Sequence, residues 1–198
     1  GLDYGASDRR VPALAFVNPA RSYGSDRSFG QNQTVCPVDY FVPAVANALR
    51  QKFGRGGIAR TIAPVCGTLM QDTPNSAQGR WYFDDTPQDA PHLALVHDNA
   101  DPRRGVISSG TSIPSLVGVA WGVSPATAGR VNLDFPMVTS TGVIYCYQSF
   151  VPLPPPPSRH VLLQLATVTQ LRIEGVPGAA CGDPSTWAFS TGARSFSR

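Results

Sequence analysis

Hydrophobic and polar residues alternate most regularly over residues 161–174, VLLQLATVTQLRIE. Val161, Leu163, Leu165, Thr167, Thr169, Leu171 and Ile173 fall on one face of an extended chain, and Gln164, Gln170, Arg172 and Glu174 on the other. One apolar face and one wet face favour antiparallel over parallel sheet. The run is long for a single strand, so a bend or bulge is expected near 166–169. Further strand-like runs occupy 61–70, 80–84, 92–97, 105–109, 116–123, 130–135, 142–150, 160–166, 168–174 and 186–190. Turn signals such as Thr73-Pro74-Asn75, Asp101-Pro102 and Thr141-Gly142 separate them. Residues 11–17 (VPALAFV) are apolar enough to enter the core as a strand.

Only one segment carries a helical period. Val42, Val45, Ala46, Leu49 and Phe53 form a single stripe, which predicts a helix over 39–53. Asp39 suits its cap, Pro43 its first turn and Gly54 its stop. The stripe predicts that this helix packs on a sheet. Residues 1–10 are polar and expected to be loose, and 18–34 read as a long surface loop containing the sequon Asn32-Gln33-Thr34. Residues 151–159 (VPLPPPPSR) join two strands, and Pro154, Pro155, Pro156 and Pro157 impose a stiff polyproline II crossover there. A docking arm for an aromatic groove is the alternative role of that segment. With no repeat and no domain-scale linker, the pattern predicts one β-rich domain over 1–198. It is an antiparallel sandwich or barrel of about nine to eleven strands with one α-helix in its N-terminal half.

Composition agrees. The 198 residues include 19 glycines and 19 prolines, and only 15% are charged. Lys52 and Glu174 are the sole lysine and glutamate, so these strong formers of exposed helix are nearly absent, which argues against a helical bundle or coiled coil. The net charge of +3 is not gathered on one face, because Arg9-Arg10 and Arg103-Arg104 sit beside Asp8, Asp98 and Asp101. A nucleic-acid partner is therefore not expected. No apolar run approaches the ~20 residues of a membrane span.

The cysteines bear on compartment. Cys36, Cys66, Cys146 and Cys181 contain no C-x-x-C spacing, which disfavours a zinc ribbon or a thioredoxin-type site. Four well-spaced cysteines in such a chain read as two disulfides, and hence as an extracytoplasmic protein: periplasmic, cell-surface or secreted. Of the three possible pairings, Cys36–Cys66 with Cys146–Cys181 closes two moderate loops and is the expected one. Four buried thiols are the alternative.

The densest polar stretch is 92–104, HLALVHDNADPRR. His97 to Asp101 has the form H-x-x-x-D, which resembles the first zinc motif of lysostaphin-type metallopeptidases. That resemblance implies a later H-x-H motif, but the only later histidine is His160. His92 and His97 are five apart and would face opposite sides of one strand. Asp98, Asn99 and Asp101, with Asp84 and Asp85, offer oxygen ligands suited to calcium, although the same residues also suit a self-bonded turn ending at Pro102. His97, Asp98 and Asp101 are thus the candidate metal ligands, for calcium or zinc; otherwise no cofactor is expected. No G-x-S-x-G elbow, glycine-rich phosphate loop or dinucleotide fingerprint occurs, and no catalytic residue is assigned.

Gly79-Arg80-Trp81 has the G-x-W form of the first strand of lipocalins, a resemblance that implies an up-and-down barrel around a small apolar ligand. Trp81, Tyr145 and Tyr147 are the candidate binding aromatics. On a solvent face they would suit sugars or protein partners; inside, they would be core. The stretches Asn18-Pro19-Ala20-Arg21-Ser22, Gln78-Gly79-Arg80-Trp81, 92–105 and Ile144-Tyr145-Cys146-Tyr147 resemble secreted bacterial domains, which implies export and supplies no activity. The expected function is a non-enzymatic exported β-domain acting in binding or assembly. Its partner is a protein, a cell-surface polymer or a further copy of itself. An envelope hydrolase or metal-dependent enzyme around His97, Asp98 and Asp101, with His92 or His160, is the second reading. A small-ligand barrel is the third.

Overall fold

The computed structural model describes residues 6–22, 33–55, 58–60, 62–83, 92–116, 120–150 and 158–198. Asn32, Asp84, Asp85 and the proline run at 154–157 lie outside the described residues. In chain order the strands are β1 (Ala6–Ser7), β2 (Thr34–Val35), β3 (Gly54–Arg55), β4 (Ile58–Ala59), β5 (Gly79–Tyr82) and β6 (His92–His97). They continue with β7 (Gly105–Ser108), β8 (Ala120–Val123), β9 (Tyr145–Tyr147), β10 (Arg159–Thr167), β11 (Gln170–Pro177) and β12 (Arg194–Ser197). The α-helices are α1 (Pro19–Ser22) and α2 (Pro43–Arg50).

The clean alternation over 161–174 folds as a hairpin. β10 and β11 pair antiparallel from Arg159↔Pro177 to Thr167↔Gln170, with a register shift between Leu165 and Thr167 where the sequence placed a bend. Val161, Leu163, Leu165, Leu171 and Ile173 point into one fully buried core. β5 to β12 form one eight-stranded antiparallel sheet in the order β8-β7-β6-β5-β12-β11-β10-β9. Two meanders, β5–β8 and β9–β12, thus meet where Ser197 pairs with Tyr82. The free edges, β8 and β9, approach each other through the intervening loop. Ala126 bridges Leu133, Val131 bridges Cys146, and the Asn132 amide donates to the Cys146 carbonyl at 2.8 Å. The sheet is a nearly closed up-and-down barrel.

The barrel interior is occupied by bulky side chains: Trp81, Leu93, Leu95, Ile107, Trp121, Tyr147 and Phe196 join the hairpin residues there. A second cluster lies on the outer face, where Cys146, Leu162, Cys181 and Trp187 pack together. Both disulfides form with the expected pairing, Cys36–Cys66 and Cys146–Cys181. Such bonds fit an oxidising, extracytoplasmic environment. No helix among the described residues is long and apolar enough to cross a membrane.

Several expectations are corrected. The helix is Pro43–Arg50 rather than 39–53, because residues 37–40 wind as a tighter 3-10 turn. Asp39 does not cap it; its carboxylate pairs with Arg50 instead. Residues 11–17 and 62–70 are irregular, the second broken by Pro64 and Gly67. Residues 186–190 are not a strand, whereas 194–197 are: Arg194 to Ser197 pair along β11. Ala6 and Ser7, expected to be loose, pair with Val35 and Thr34.

Leu163→Ala, at a position with no solvent exposure, is expected to cost about 3 kcal/mol in urea unfolding. Replacing Cys146 and Cys181 together by alanine opens a loop of 35 residues and is expected to cost about 4 kcal/mol on chain entropy. Exposed Gln170→Ala should stay within about 0.5 kcal/mol in the same measurement.

Candidate functional site

Every neighbouring pair in the barrel is antiparallel, so β6, β8, β10 and β12 all run the same way. One end of the barrel, its base, therefore collects the last residues of β6, β8 and β12 and the first of β5, β7 and β9. His97 closes β6 at the base, while His160 opens β10 at the opposite end. The two histidines cannot share a ligand. His160 instead bonds the Gly178 carbonyl through Nδ1 at 2.9 Å.

The base is covered by residues 72–78 and by the 3-10 turn Phe135–Met137. Ala77 donates its amide to the Val138 carbonyl at 2.9 Å, and the Trp81 indole donates to the Ala77 carbonyl at 2.8 Å. Arg198 follows β12 and stacks over Trp81, 4.2 Å from the ring centroid. Its guanidinium donates to the carbonyls of Thr73, Ser76 and Gln78. Burial pulls this guanidinium below its ordinary pKa, with Asp72 opposing that effect.

Beside this cover lies an open pocket of about 290 Å³, whose wall includes Arg60, Met70, Gln71, Gln78, His97 and Asp98. Gln71 clamps the end of β6, accepting from the His97 amide at 2.7 Å and donating to the His97 carbonyl at 2.9 Å. His97 Nε2 meets Asp134 Oδ1 at 2.8 Å. Asp98 Oδ1 accepts the Ala100 amide at 2.7 Å, which is the self-bonded turn. Asp101 takes Arg103 in a two-pronged pair at 2.8 and 3.2 Å. The Arg103 hydrogen bonds hold the Asp101 carboxyl below the usual carboxylate range.

The three candidate metal ligands thus point to three different partners. Among the described residues, no group of three His, Cys, Asp or Glu side chains is arranged to hold a metal. Trp81 and Tyr147 are fully buried and Tyr145 nearly so, the core alternative of the two arrangements the sequence left open. Tyr147 donates its hydroxyl to the Leu133 carbonyl at 2.7 Å, and burial drives its pKa well up. They are barrel core. Sequence reasoning missed Arg60, Gln71 and Gln78 as site residues. Only Gln78 stood in a quoted stretch, and nothing in the local pattern marks any of the three.

No protein-family model, curated protein or solved structure matches the chain.

The placement of Asp101 has a measurable consequence. Its side-chain resonance should titrate below the ordinary aspartate range and return to that range in Arg103→Ala. Adding millimolar calcium or zinc should leave both titrations unchanged. A metal-induced shift at Asp98 and Asp101 together would establish a metal site at that turn.

Proposed function

We propose that this chain is a non-enzymatic, exported binding domain that docks another protein through the apolar face of α2. One observation carries the reading. The stripe predicted to pack on a sheet is covered only in part: Val42 and Val45 are 66% and 43% exposed, Leu49 and Phe53 are half-buried, and only Ala46 in the helix is buried. Tyr40 and Phe41, just before the helix, are also exposed. Exposed apolar residues gathered on one element mark interaction sites in proteins that otherwise bury them. The element is also braced. The Cys36–Cys66 disulfide ties the turn before α2 to the loop at 62–70, and the Asp39–Arg50 pair spans the helix.

The occupant is a protein with an apolar groove rather than a second copy. A helix of eight residues is only about 12 Å long. Stacked on its own copy, it offers far less than the ~800 Å² per partner of a stable interface. A groove that wraps the helix buries more of it, with anchors at i and i+3. The two disulfides support export, and the filled barrel interior favours surface recognition over a ligand calyx.

A photo-crosslinking residue at Val42 or Val45 should yield a discrete adduct with one protein of the native secreted fraction. Val45→Asp with the crosslinker at Val42 should abolish the adduct without moving the thermal transition. The same residue at Thr141, exposed and far along the chain, should yield none. Equal labelling at all positions, or adducts only with a second copy, would overturn the reading.

A further inference from the structure

The pocket at the base contains an electrostatic imbalance that the fold does not explain. Arg60 is 8% exposed and lines the pocket wall. Its Nε donates to the Pro64 carbonyl at 3.0 Å, but its Nη1 is buried with no hydrogen-bond partner. No described carboxylate forms an ion pair with it. A buried guanidinium left in this state is costly, because it has lost water and gained no counter-charge. On the same wall, the Gln78 Oε1 is also buried without a partner, while Gln78 Nε2 is held by the Gln71 carbonyl at 2.9 Å. One pocket thus holds an unused cationic donor and an unused neutral acceptor.

The surrounding charges narrow the ligand. Asp72 and Asp98 also line the pocket. Asp72 gives its oxygens to the Val17 and Arg80 amides, both at 2.9 Å, and Asp98 is held by its own turn. With two carboxylates on the wall, a phosphate dianion would meet two acidic groups for one arginine. A monocarboxylate carrying an N–H close by answers both unpaired groups. Ala63, Pro64 and Met70 supply apolar wall for a small side chain. We propose that this pocket binds an α-amino carboxylate, with the carboxylate on Arg60 and the amide or amine N–H on Gln78. A free amino acid and the C-terminal residue of a peptide share that chemistry.

Isothermal titration calorimetry with five probes tests it: alanine, N-acetylalanine, N-acetylalaninamide, an acetylated tripeptide ending in alanine with a free carboxylate, and inorganic phosphate. At least one of the three acids should bind at millimolar affinity or tighter. The carboxamide should bind at least tenfold more weakly than N-acetylalanine or the tripeptide. Preference for the tripeptide identifies a chain terminus as ligand; preference for free alanine identifies a metabolite. Arg60→Met should abolish binding while the melting temperature holds or rises, because an unpaired buried charge has been removed. Gln78→Met should weaken binding about fivefold. The comparison of acid with amide needs no variant, so a poorly folding mutant does not leave the proposal standing. It is overturned if the folded protein takes up none of the acids at 10 mM, if the amide binds as well as the acid, or if inorganic phosphate binds more tightly. None of these variants touches the α2 face, so the outcome is independent of protein docking.

Discussion

A sheet that curls toward a barrel must close, and here the closure rests on one arginine. The seam between the two meanders, β12 against β5, contains a single paired position, Ser197↔Tyr82. That is far less pairing than at β10–β11, which share eight. The residue after Ser197 is Arg198, which stacks on Trp81 of β5 and donates to three carbonyls of the segment leading into that strand. The weakest join in the ladder is therefore fastened by side-chain bonds. A charge-assisted hydrogen bond in a low-dielectric surrounding is stronger than a backbone rung exposed to water. The opposite gap, β8 to β9, is spanned by the loop between them, which bridges β9 through Val131 and Cys146 and packs Phe135 on Tyr147 at 5.2 Å between ring centroids.

Closure explains why the base is crowded and the interior full. Eight strands leave room for one layer of side chains and little more. Trp81, Trp121, Tyr147 and Phe196 are among the largest side chains in the protein, and all are essentially inaccessible. One buried carboxylate on β11 is tied down. Glu174, the only glutamate, takes the Ser190 amide at 2.8 Å and pairs with its hydroxyl, which holds the loop before β12 against β11. That single carboxylate is structural, so the scarcity of acids seen in the sequence leaves none in reserve for chemistry along that strand.

Sheet elements whose own residues alternate were legible in the sequence. β6 runs from His92 to His97 as the pattern placed it, and β10 and β11 follow from Val161, Leu163, Leu171 and Ile173. The sequence allows three disulfide pairings, and the one that forms is the one that closes two moderate loops. β12 was not legible, because RSFS contains one apolar residue, Phe196, and is drawn into the sheet by its register with Leu171. The stripe along α2 was legible as a stripe, but not the exposure of Val42 and Val45 within it. Periodicity reports that a face is apolar, and says nothing about which surface covers it. At the candidate site the limit is sharper. His97 was found for its residue type, yet its partner Asp134 is 37 positions away. Arg60 follows a two-residue ribbon strand with no motif around it. What marks Arg60 is a buried guanidinium whose Nη1 has no hydrogen-bond partner, a property that exists only in three dimensions.

The division of labour follows from these constraints. A barrel filled with aromatic and aliphatic side chains cannot also be a deep ligand chamber without emptying its core, at about 2–5 kcal/mol for each large side chain removed. On the proposed binding function, recognition falls to what lies outside the ladder: the disulfide-tied segment from Cys36 to Cys66 and the polar rim at the base. Those parts break the ordinary burial rules. α2 exposes the apolar residues that a folded chain buries elsewhere, and Arg60 buries the charge that a folded chain exposes elsewhere. Each departure costs stability that the well-packed barrel and its two bridges can supply. Selection for stability alone would have removed both, for instance with a polar residue at Val42 and an apolar one at Arg60. Their presence on one rigid frame is the physical reason to seek this protein's function there.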